Sequence, residues 1–306
     1  KEVEYELNPA YVSPIPARLR WRAWAADDEG ITGDELLAFV NNDLFPSLKS
    51  LQFSAADDAR GYIVQDVFAD AYNYMKSGTL IRQVINKINQ IDFNSLQDRH
   101  LFNDLYEKIL RDLQSAGNAG EYYTPRAVTQ FMVDVTDPRL DGVVLDPACG
   151  TGGFLICALE HIRTQYVHTT ADAEQLSRSL WGVEKKPLPH LLCVTNMILH
   201  DVETPHVERD NALARRPYRD YGDADRVRYI FTNPPFGGME EPGVESNFPA
   251  QFQTKETADL FLALIVHLLQ EGGQGAIVLP DGSLFGEGVK TRLKEHLLER
   301  CNLHTI

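Results

Sequence analysis

From Val143 onward the chain alternates short β-branched or apolar runs with helix-patterned segments, and this alternation restricts the fold more than any other feature. The runs are Val143-Val144-Leu145-Asp146, Leu180-Trp181-Gly182-Val183-Glu184, the weaker His206-Val207-Glu208, Tyr229-Ile230-Phe231-Thr232 and Ala276-Ile277-Val278-Leu279. Between them, helical spacing covers Phe154 to about Thr164, Leu188 to Leu199 and Ala258 to Leu269. Strand, helix and strand in succession build a mostly parallel sheet, because a parallel return needs a crossover long enough to hold a helix. No internal repeat or low-complexity tract interrupts the pattern.

The residues before this region read differently. Apolar side chains recur at helical spacing in Leu36, Leu37, Phe39 and Val40, after the start signal Thr32-Gly33-Asp34-Glu35. They recur in Val64, Val67, Phe68, Ala71 and Tyr72, then in Leu80, Val84, Ile85 and Ile88, and in Leu101, Phe102, Leu105, Ile109, Leu110 and Leu113. The small, polar run Ser115-Ala116-Gly117-Asn118-Ala119-Gly120 closes the last of these. The expectation is an all-helical N-terminal domain over residues 1–116 and an α/β domain over residues 117–306. A chain of 306 residues with 43% hydrophobic residues can bury a core in each.

Several classes of function are excluded by composition. The longest strongly apolar stretch, Leu260 to Leu269, contains His267 and falls far short of the roughly 20 residues of a membrane span. With 44 acidic and 29 basic residues the net charge is −15, so the surface as a whole is no phosphate binder, and any DNA contact is local or supplied by a partner. Cys149, Cys157, Cys193 and Cys301 show neither paired Cys-x-x-Cys spacing nor the density of a secreted scaffold, which points to a reduced, cytoplasmic setting. The opening Lys1-Glu2-Val3-Glu4 has neither an initiator Met nor an apolar leader, and reads as the start of a fragment.

The first run leads into Asp146-Pro147-Ala148-Cys149-Gly150-Thr151-Gly152-Gly153-Phe154, which opens a helix. Glycines here let backbone N–H groups approach a ligand at the carboxyl end of the strand, the usual crevice of open α/β sheets. The spacing is neither G-x-G-x-x-G nor a P-loop, so a pyrophosphate cradle is disfavoured. By itself such a turn is equally consistent with simple chain reversal. Glu184, ending the second run, suits a ribose diol, or is a strand-end carboxylate in solvent. Its interval from Asp146 exceeds the usual one of about 20 residues, so the crossover must hold an insertion around Thr169 to Ser179. Asp210-Asn211 could meet an adenine edge, although an Asx turn explains the pair as well.

The fourth run ends in Asn233-Pro234-Pro235-Phe236, a string expected by chance in roughly one in a thousand chains of this length. Consecutive prolines stiffen the backbone and remove N–H donors. The Asn233 side-chain oxygen and the Pro234 carbonyl can then accept both hydrogens of a planar amino group, and Phe236 offers a face for a base, worth about 1 to 3 kcal/mol. An exocyclic amine is a poor nucleophile because its lone pair is delocalised into the ring. Two aligned acceptors help it become pyramidal, and an activated methyl sulfonium beside the Gly-rich turn could be displaced directly. Methylation at carbon 5 of cytosine would instead need a Cys nucleophile, normally after a proline, and no cysteine here follows one. Cys149 reads as a packing residue. His190, His200, His206 and His267 lack metal-ligand spacing, and no metal is assigned.

On these residues the chain resembles the gamma-class amino-methyltransferases, most closely the modification (M) subunits of type I restriction-modification systems. Gly120-Glu121-Tyr122-Tyr123-Thr124-Pro125-Arg126 is similar to the motif that meets the methionine part of S-adenosylmethionine in that family. The resemblance implies a class I, Rossmann-like methyltransferase fold, with cofactor contacts from Glu121, Tyr122, Tyr123, Thr124, Asp146, Pro147, Gly150, Thr151, Gly152, Gly153, Phe154, Glu184, Asp210 and Asn211. It implies catalysis by Asn233, Pro234, Pro235 and Phe236. Gly275-Ala276-Ile277-Val278-Leu279-Pro280-Asp281-Gly282, followed by Leu284-Phe285, resembles a later motif lining the target-base pocket. The implied reaction is methylation of the 6-amino group of a flipped adenine. The implied partners are double-stranded DNA, a specificity (S) subunit, a second M subunit and a restriction (R) subunit.

Leu303-His304-Thr305-Ile306 reads as the start of a sixth strand, so the C-terminal edge strands of such a sheet are expected to be missing. Residues 237–257, rich in Gly and Pro, read as a mobile loop that orders on DNA, or as a disordered insertion. Arg209, Arg215, Arg216 and Arg219 form the best basic cluster, for phosphates or as a solvated face. Two other functions stay open at this level: a protein-glutamine methyltransferase, whose amide substrate is also planar, and a catalytically idle scaffold.

Overall fold

The computed structural model describes residues 13, 15–53, 59–69, 71–91, 106, 108 and 124–306. The chain divides into two compact units, Lys1–Lys108 and Ile109–Ile306. The expected boundary run at 115–120, most of the Leu101 to Leu113 segment and residues 120–123 lie outside the described residues.

In the first unit, α1 (Gly33–Phe39) continues through a π-type turn at Val40–Leu44 into α2 (Phe45–Lys49); α3 (Ala59–Ala69) and α4 (Gly78–Asn89) follow. Leu19, Ala25, Leu36, Val40, Leu44, Leu48, Ile81 and Ile85 form the core. The Ser77 hydroxyl caps α4 by accepting from the Leu80 N–H at 3.3 Å. Gly78 lies so close to α1 that a Cβ would stand 1.7 Å from the Gly33 carbonyl oxygen, so only glycine permits this approach. The approach also turns α4. Of the expected face, Ile85 is buried but Leu80, Val84 and Ile88 are exposed, and Gly78, Ile81 and Arg82 point inward beside Ile85 instead. Buried Arg82 donates to the carbonyls of Trp24, Ala25, Asp27 and Ile31 at 2.7 to 3.1 Å, spending its charge on the loop that precedes α1. Ala71 and Tyr72, expected on the helix of Val64, fall beyond the end of α3.

The second unit runs α5 (Arg126–Thr136), β1 (Val144–Asp146), α6 (Gly153–Tyr166), α7 (Thr170–Ser179), β2 (Leu180–Val183), α8 (Pro187–Leu199), β3 (His206–Glu208), β4 (Val227–Thr232), α9 (Thr257–Leu268), β5 (Leu269–Ile277), α10 (Asp281–Phe285) and α11 (Val289–Arg300). The helix α7 is the insertion that the long interval to Glu184 requires, started by a capping box between Thr169 and Asp172. All strand pairings are parallel, in the order β3-β2-β1-β4-β5. The chain therefore begins mid-sheet, moves outward through β2 and β3, and returns to the other side of β1 with β4. The carboxyl ends of β1 and β4 flank this switch point, where ligands of open α/β sheets sit.

Two expectations change at the far edge. The fifth strand starts at Leu269, well before Ala276, because Leu269, Gln274 and Gly275 also pair with β4, with residues 270–273 taking up a register shift and Gly272 left-handed at φ +68°. Residues 301–306 carry no regular structure, and no described strand pairs with the outer side of β5. The core joins Leu145, Val183 and Ile230 of the sheet to the almost wholly buried α9. Residues 237–257 are anchored to this core, because Val244, Phe248 and Phe252 recur every fourth residue and are buried in it.

Candidate active site

The Gly-rich turn leaves β1 at Asp146, and two of its glycines hold conformations that disfavour any side chain. Gly150 has φ +54°, with open space where a Cβ would stand; Gly152 has φ +86°, and a Cβ there would meet the Cys193 sulfur at 2.8 Å. Gly152 caps the start of α6. The Cys149 and Cys193 thiols lie buried, 3.7 Å apart, and the neighbouring thiol together with burial holds Cys149 well above the usual range. This is the packing role expected of Cys149. Phe154 is also a packing residue, stacked on Phe231 at 6.0 Å between ring centres, with both rings buried.

Asp146 is only 2% exposed. Burial pushes its carboxyl up to about 7, although the Ala148 N–H, donating to it at 3.1 Å, favours the ionised form, and Glu184 nearby adds to the rise. Glu184 reaches back to the turn: one oxygen accepts from the Gly150 N–H at 2.9 Å, the other from the Lys186 N–H at 2.7 Å. The β3 end is joined to it by backbone bonds, Glu184 N–H to Glu208 and Asp210 N–H to the Glu184 carbonyl. Asp210 accepts from the Asn211 N–H at 2.7 Å, and the Asn211 side-chain oxygen accepts from the Leu213 N–H at 3.0 Å. The Asx-turn reading of this pair is thus what the geometry shows, with the exposed Asp210 carboxylate still at the sheet edge.

Across the switch point, Asn233 directly follows β4. Its amide nitrogen donates to the Thr124 hydroxyl at 2.8 Å, while its side-chain oxygen is buried with no hydrogen-bond partner. An unpaired buried acceptor costs about 1 to 3 kcal/mol, so it signals a missing donor. Pro234 is buried, Pro235 exposed and Phe236 half-buried. Of the predicted residues, Thr124, Asp146, Pro147, Gly150, Thr151, Gly152, Gly153, Phe154, Glu184, Asp210, Asn211 and Asn233 to Phe236 lie around the carboxyl edge. Glu121, Tyr122 and Tyr123 lie outside the described residues.

Three contributors escaped sequence reasoning. Buried Asn196 of α8 donates to the Thr151 carbonyl at 3.1 Å and pins the turn. The Thr257 hydroxyl and N–H both reach the Gly238 carbonyl, fixing the chain just after Phe236. Glu240 accepts from Asn211 and Lys185. No motif spacing marks these residues, since each acts across elements distant in sequence. The arginine cluster is neutralised by its neighbours: Arg215 pairs with Glu208 and Asp210, Arg216 with Asp225, and Arg219 with Asp220.

An open cradle above Gly150, an acid already turned toward it and an orphaned acceptor across the switch point suit a nucleoside-bearing cofactor beside an amino-group substrate. The N-6 DNA Methylase family profile matches residues 97–306, and the HsdM N-terminal domain profile matches residues 2–88. The chain is 60% identical to the type I restriction enzyme EcoEI methylase subunit of Escherichia coli over 307 residues, covering 100% of this chain and 62% of that one. It is similar to the solved modification subunit of a putative type I restriction enzyme from Vibrio vulnificus YJ016, with 47% identity, TM-score 0.81 and coverage of 97% and 65%. A chain solved in the assembly of a type I R-M system shows 38% identity, TM-score 0.87 and coverage of 99% and 61%. The chain thus spans less than two thirds of the length of each of these relatives.

Proposed function

The chain belongs to the N-6 DNA Methylase family, and from that membership we propose that it is the catalytic portion of a modification subunit of a type I restriction-modification complex, methylating adenine in DNA. The observation that carries the reading is the Asn233 side-chain oxygen, buried without a donor at the end of β4, across the switch point from the Gly-rich turn. The 6-amino group of adenine is a donor of the required kind.

The proposed cofactor is S-adenosylmethionine, which when bound supplies a methyl group on a positively charged sulfur. The backbone of Gly150, Thr151, Gly152 and Gly153 would line its cradle, Glu184 would accept from the ribose hydroxyls, and Asp210 would face the adenine. Asp146, Pro147 and Phe154 would shape the turn, Asn211 would hold the Asp210 loop, and Thr124 with Glu121, Tyr122 and Tyr123 would serve the methionine side.

A target adenine must leave its stack to enter the site, at a cost of a few kcal/mol. Asn233 and the Pro234 carbonyl would accept its two amino hydrogens and draw the lone pair out of conjugation with the ring. Thr124 would keep the Asn233 amide aligned, Pro235 would stiffen the strand end, and Phe236 would stack on the base. The residues bind, orient and polarise, and none needs to form a covalent bond to substrate.

The net charge of −15 favours shared DNA binding, with a specificity subunit reading the double strand, a second modification subunit completing the methyltransferase and a restriction subunit carrying cleavage. No helix among the described residues is long and apolar enough to cross a membrane. The proposed location is the cytoplasm, where the DNA is.

The test is transfer of labelled methyl from S-adenosylmethionine to unmodified DNA by the full-length protein, with and without its specificity subunit, followed by nucleoside analysis. Labelled 6-methyladenine that depends on the partner is the expected result. Label in protein, or none with a verified partner and bound cofactor, overturns the reading.

A further inference from the structure

The segment that follows the catalytic tetrapeptide is tied to the cofactor side of the sheet by the Asn247 amide, which donates to the Leu213 and Ala214 carbonyls at 3.1 and 3.3 Å, and, nearer the tetrapeptide, by the carboxylate of Glu240. Met239 and Glu256 pair as an antiparallel bridge, and the Glu240 N–H donates to the Lys255 carbonyl at 3.1 Å, so the segment is closed at its base. From this closed base the Glu240 side chain, 9% exposed, turns toward the other half of the site. One of its oxygens accepts from the Asn211 amide at 2.9 Å and from the Lys185 ammonium at 3.3 Å. Glu241 adds a second ion pair to Lys185 at 3.0 Å.

The two donors occupy matching positions. Lys185 follows Glu184 at the end of β2, and Asn211 follows Asp210 at the end of β3. Glu240 therefore joins the chain next to the ribose-side acid, the chain next to the adenine-side acid, and the segment four residues beyond Phe236. A carboxylate buried to this degree needs these donors, because an unpaired charge there would be costly. The ion pair is shielded on the Glu240 side, and its geometry holds only while the β2 and β3 ends and the 239–256 segment keep their relative positions.

We propose that Glu240 is a positioning residue that couples the two halves of the active site, so that cofactor binding at Glu184 and Asp210 sets the segment behind Asn233 to Phe236 for DNA, and DNA binding tightens the cofactor in return. The inference rests on the proposed methyltransferase reading. Linkage requires the two effects to be equal, since coupling between two ligands is reciprocal.

The experiment uses the full-length protein with its specificity subunit, S-adenosylhomocysteine as the cofactor-side probe, and a duplex carrying the complex's mapped recognition site. The Kd of S-adenosylhomocysteine is measured with and without duplex, for the parent and for Glu240→Gln, Lys185→Met, their double variant and the exchanged pair E240K/K185E. In the parent the duplex should tighten S-adenosylhomocysteine by about tenfold, a typical coupling factor. Each single variant should cut that factor severalfold, with the double variant no worse than either single one. The exchanged pair should restore part of it, which a merely structural loss would not allow. Should Glu240→Gln fail to fold, Lys185→Met removes the ion pair from its more exposed side and decides alone. A coupling factor unchanged in the folded variants, or no coupling in an active parent, overturns the role given to Glu240. A parent that binds no S-adenosylhomocysteine and labels no adenine refutes the methyltransferase reading itself, and this inference falls with it.

Discussion

Replacing Asp146 by Asn should make the protein more stable at neutral and alkaline pH, although the residue stands at the start of the Gly-rich turn. The carboxyl is 2% exposed, and burial raises it from 3.8 to about 7. The folded state therefore holds a proton that the unfolded state has released between roughly pH 4 and pH 7, and stability falls as pH rises through that window. A tenfold change in proton affinity corresponds to about 1.4 kcal/mol, so the parent should lose about 2 to 3 kcal/mol between pH 5 and pH 8 from this group alone. Asn has the same shape, its oxygen can still accept from the Ala148 N–H now bonded at 3.1 Å, and it has no charge to bury. The advantage of Asp146→Asn over the parent should thus grow by about 2 to 3 kcal/mol across that range, or about 5 to 10 °C in Tm for a unit of this size. Denaturant and thermal unfolding of both proteins at pH 5, 6, 7 and 8 would measure it. Parallel pH curves, with a constant offset, would show that Asp146 is ionised in the fold at pH 5 and that burial does not dominate its titration.

Three further outcomes are expected. Asn233→Ala should cut methyl transfer by about a hundredfold or more, the scale on which removing one oriented polar group acts at a reacting centre, while calorimetry shows S-adenosylhomocysteine binding within about twofold of the parent. Substituting Ala at Gly152, where φ is +86° and a Cβ would stand 2.8 Å from the Cys193 sulfur, should weaken stability more than Ala at Gly150, where the space is open; the Gly150 change should cost only about 1 to 2 kcal/mol of stability for the left-handed backbone, and equal losses in paired melting curves would contradict this. Arg82→Met should destabilise the N-terminal unit by about 3 kcal/mol or more, because four carbonyls lose their donor in the interior. Arg82→Lys should not rescue it, since an ammonium cannot reproduce the planar fork, and equal unfolding midpoints for Lys and Arg would refute that account.

The elements of the second unit were legible because their signals are local. The cores of β1, β2 and β4 are apolar runs, the turn after β1 announces itself by glycines, and the long interval before Glu184 foretold α7. Other features were misread where a distant contact outweighed a local pattern. Close approach of Gly78 to the Gly33 carbonyl turned α4 away from its Leu80, Val84 and Ile88 face. Pairing with β4 drew the glycine-rich residues before Ala276 into β5. Buried Val244, Phe248 and Phe252 fastened a segment whose Gly and Pro content suggested mobility. The arginine cluster, for which the sequence left a phosphate contact and a solvated face both open, pairs with acidic residues close to it in the chain.

By itself the sequence determined which backbone positions could form tight turns, which runs could enter a parallel sheet, and which side chains had the chemistry for an amino-group substrate. Those properties belong to single residues and their immediate neighbours: the conformational freedom of glycine, the missing N–H of proline and the two-faced amide of Asn233. Only the tertiary structure decided that the turn after β1 and Asn233 after β4 flank one switch point, that Asp146 is buried deeply enough to hold its proton near neutrality, and that Glu240 bonds to the loops after both β2 and β3. These depend on strand order, burial and distances between residues far apart in the chain, and such energies arise only when the sheet has brought the groups together and excluded water from between them.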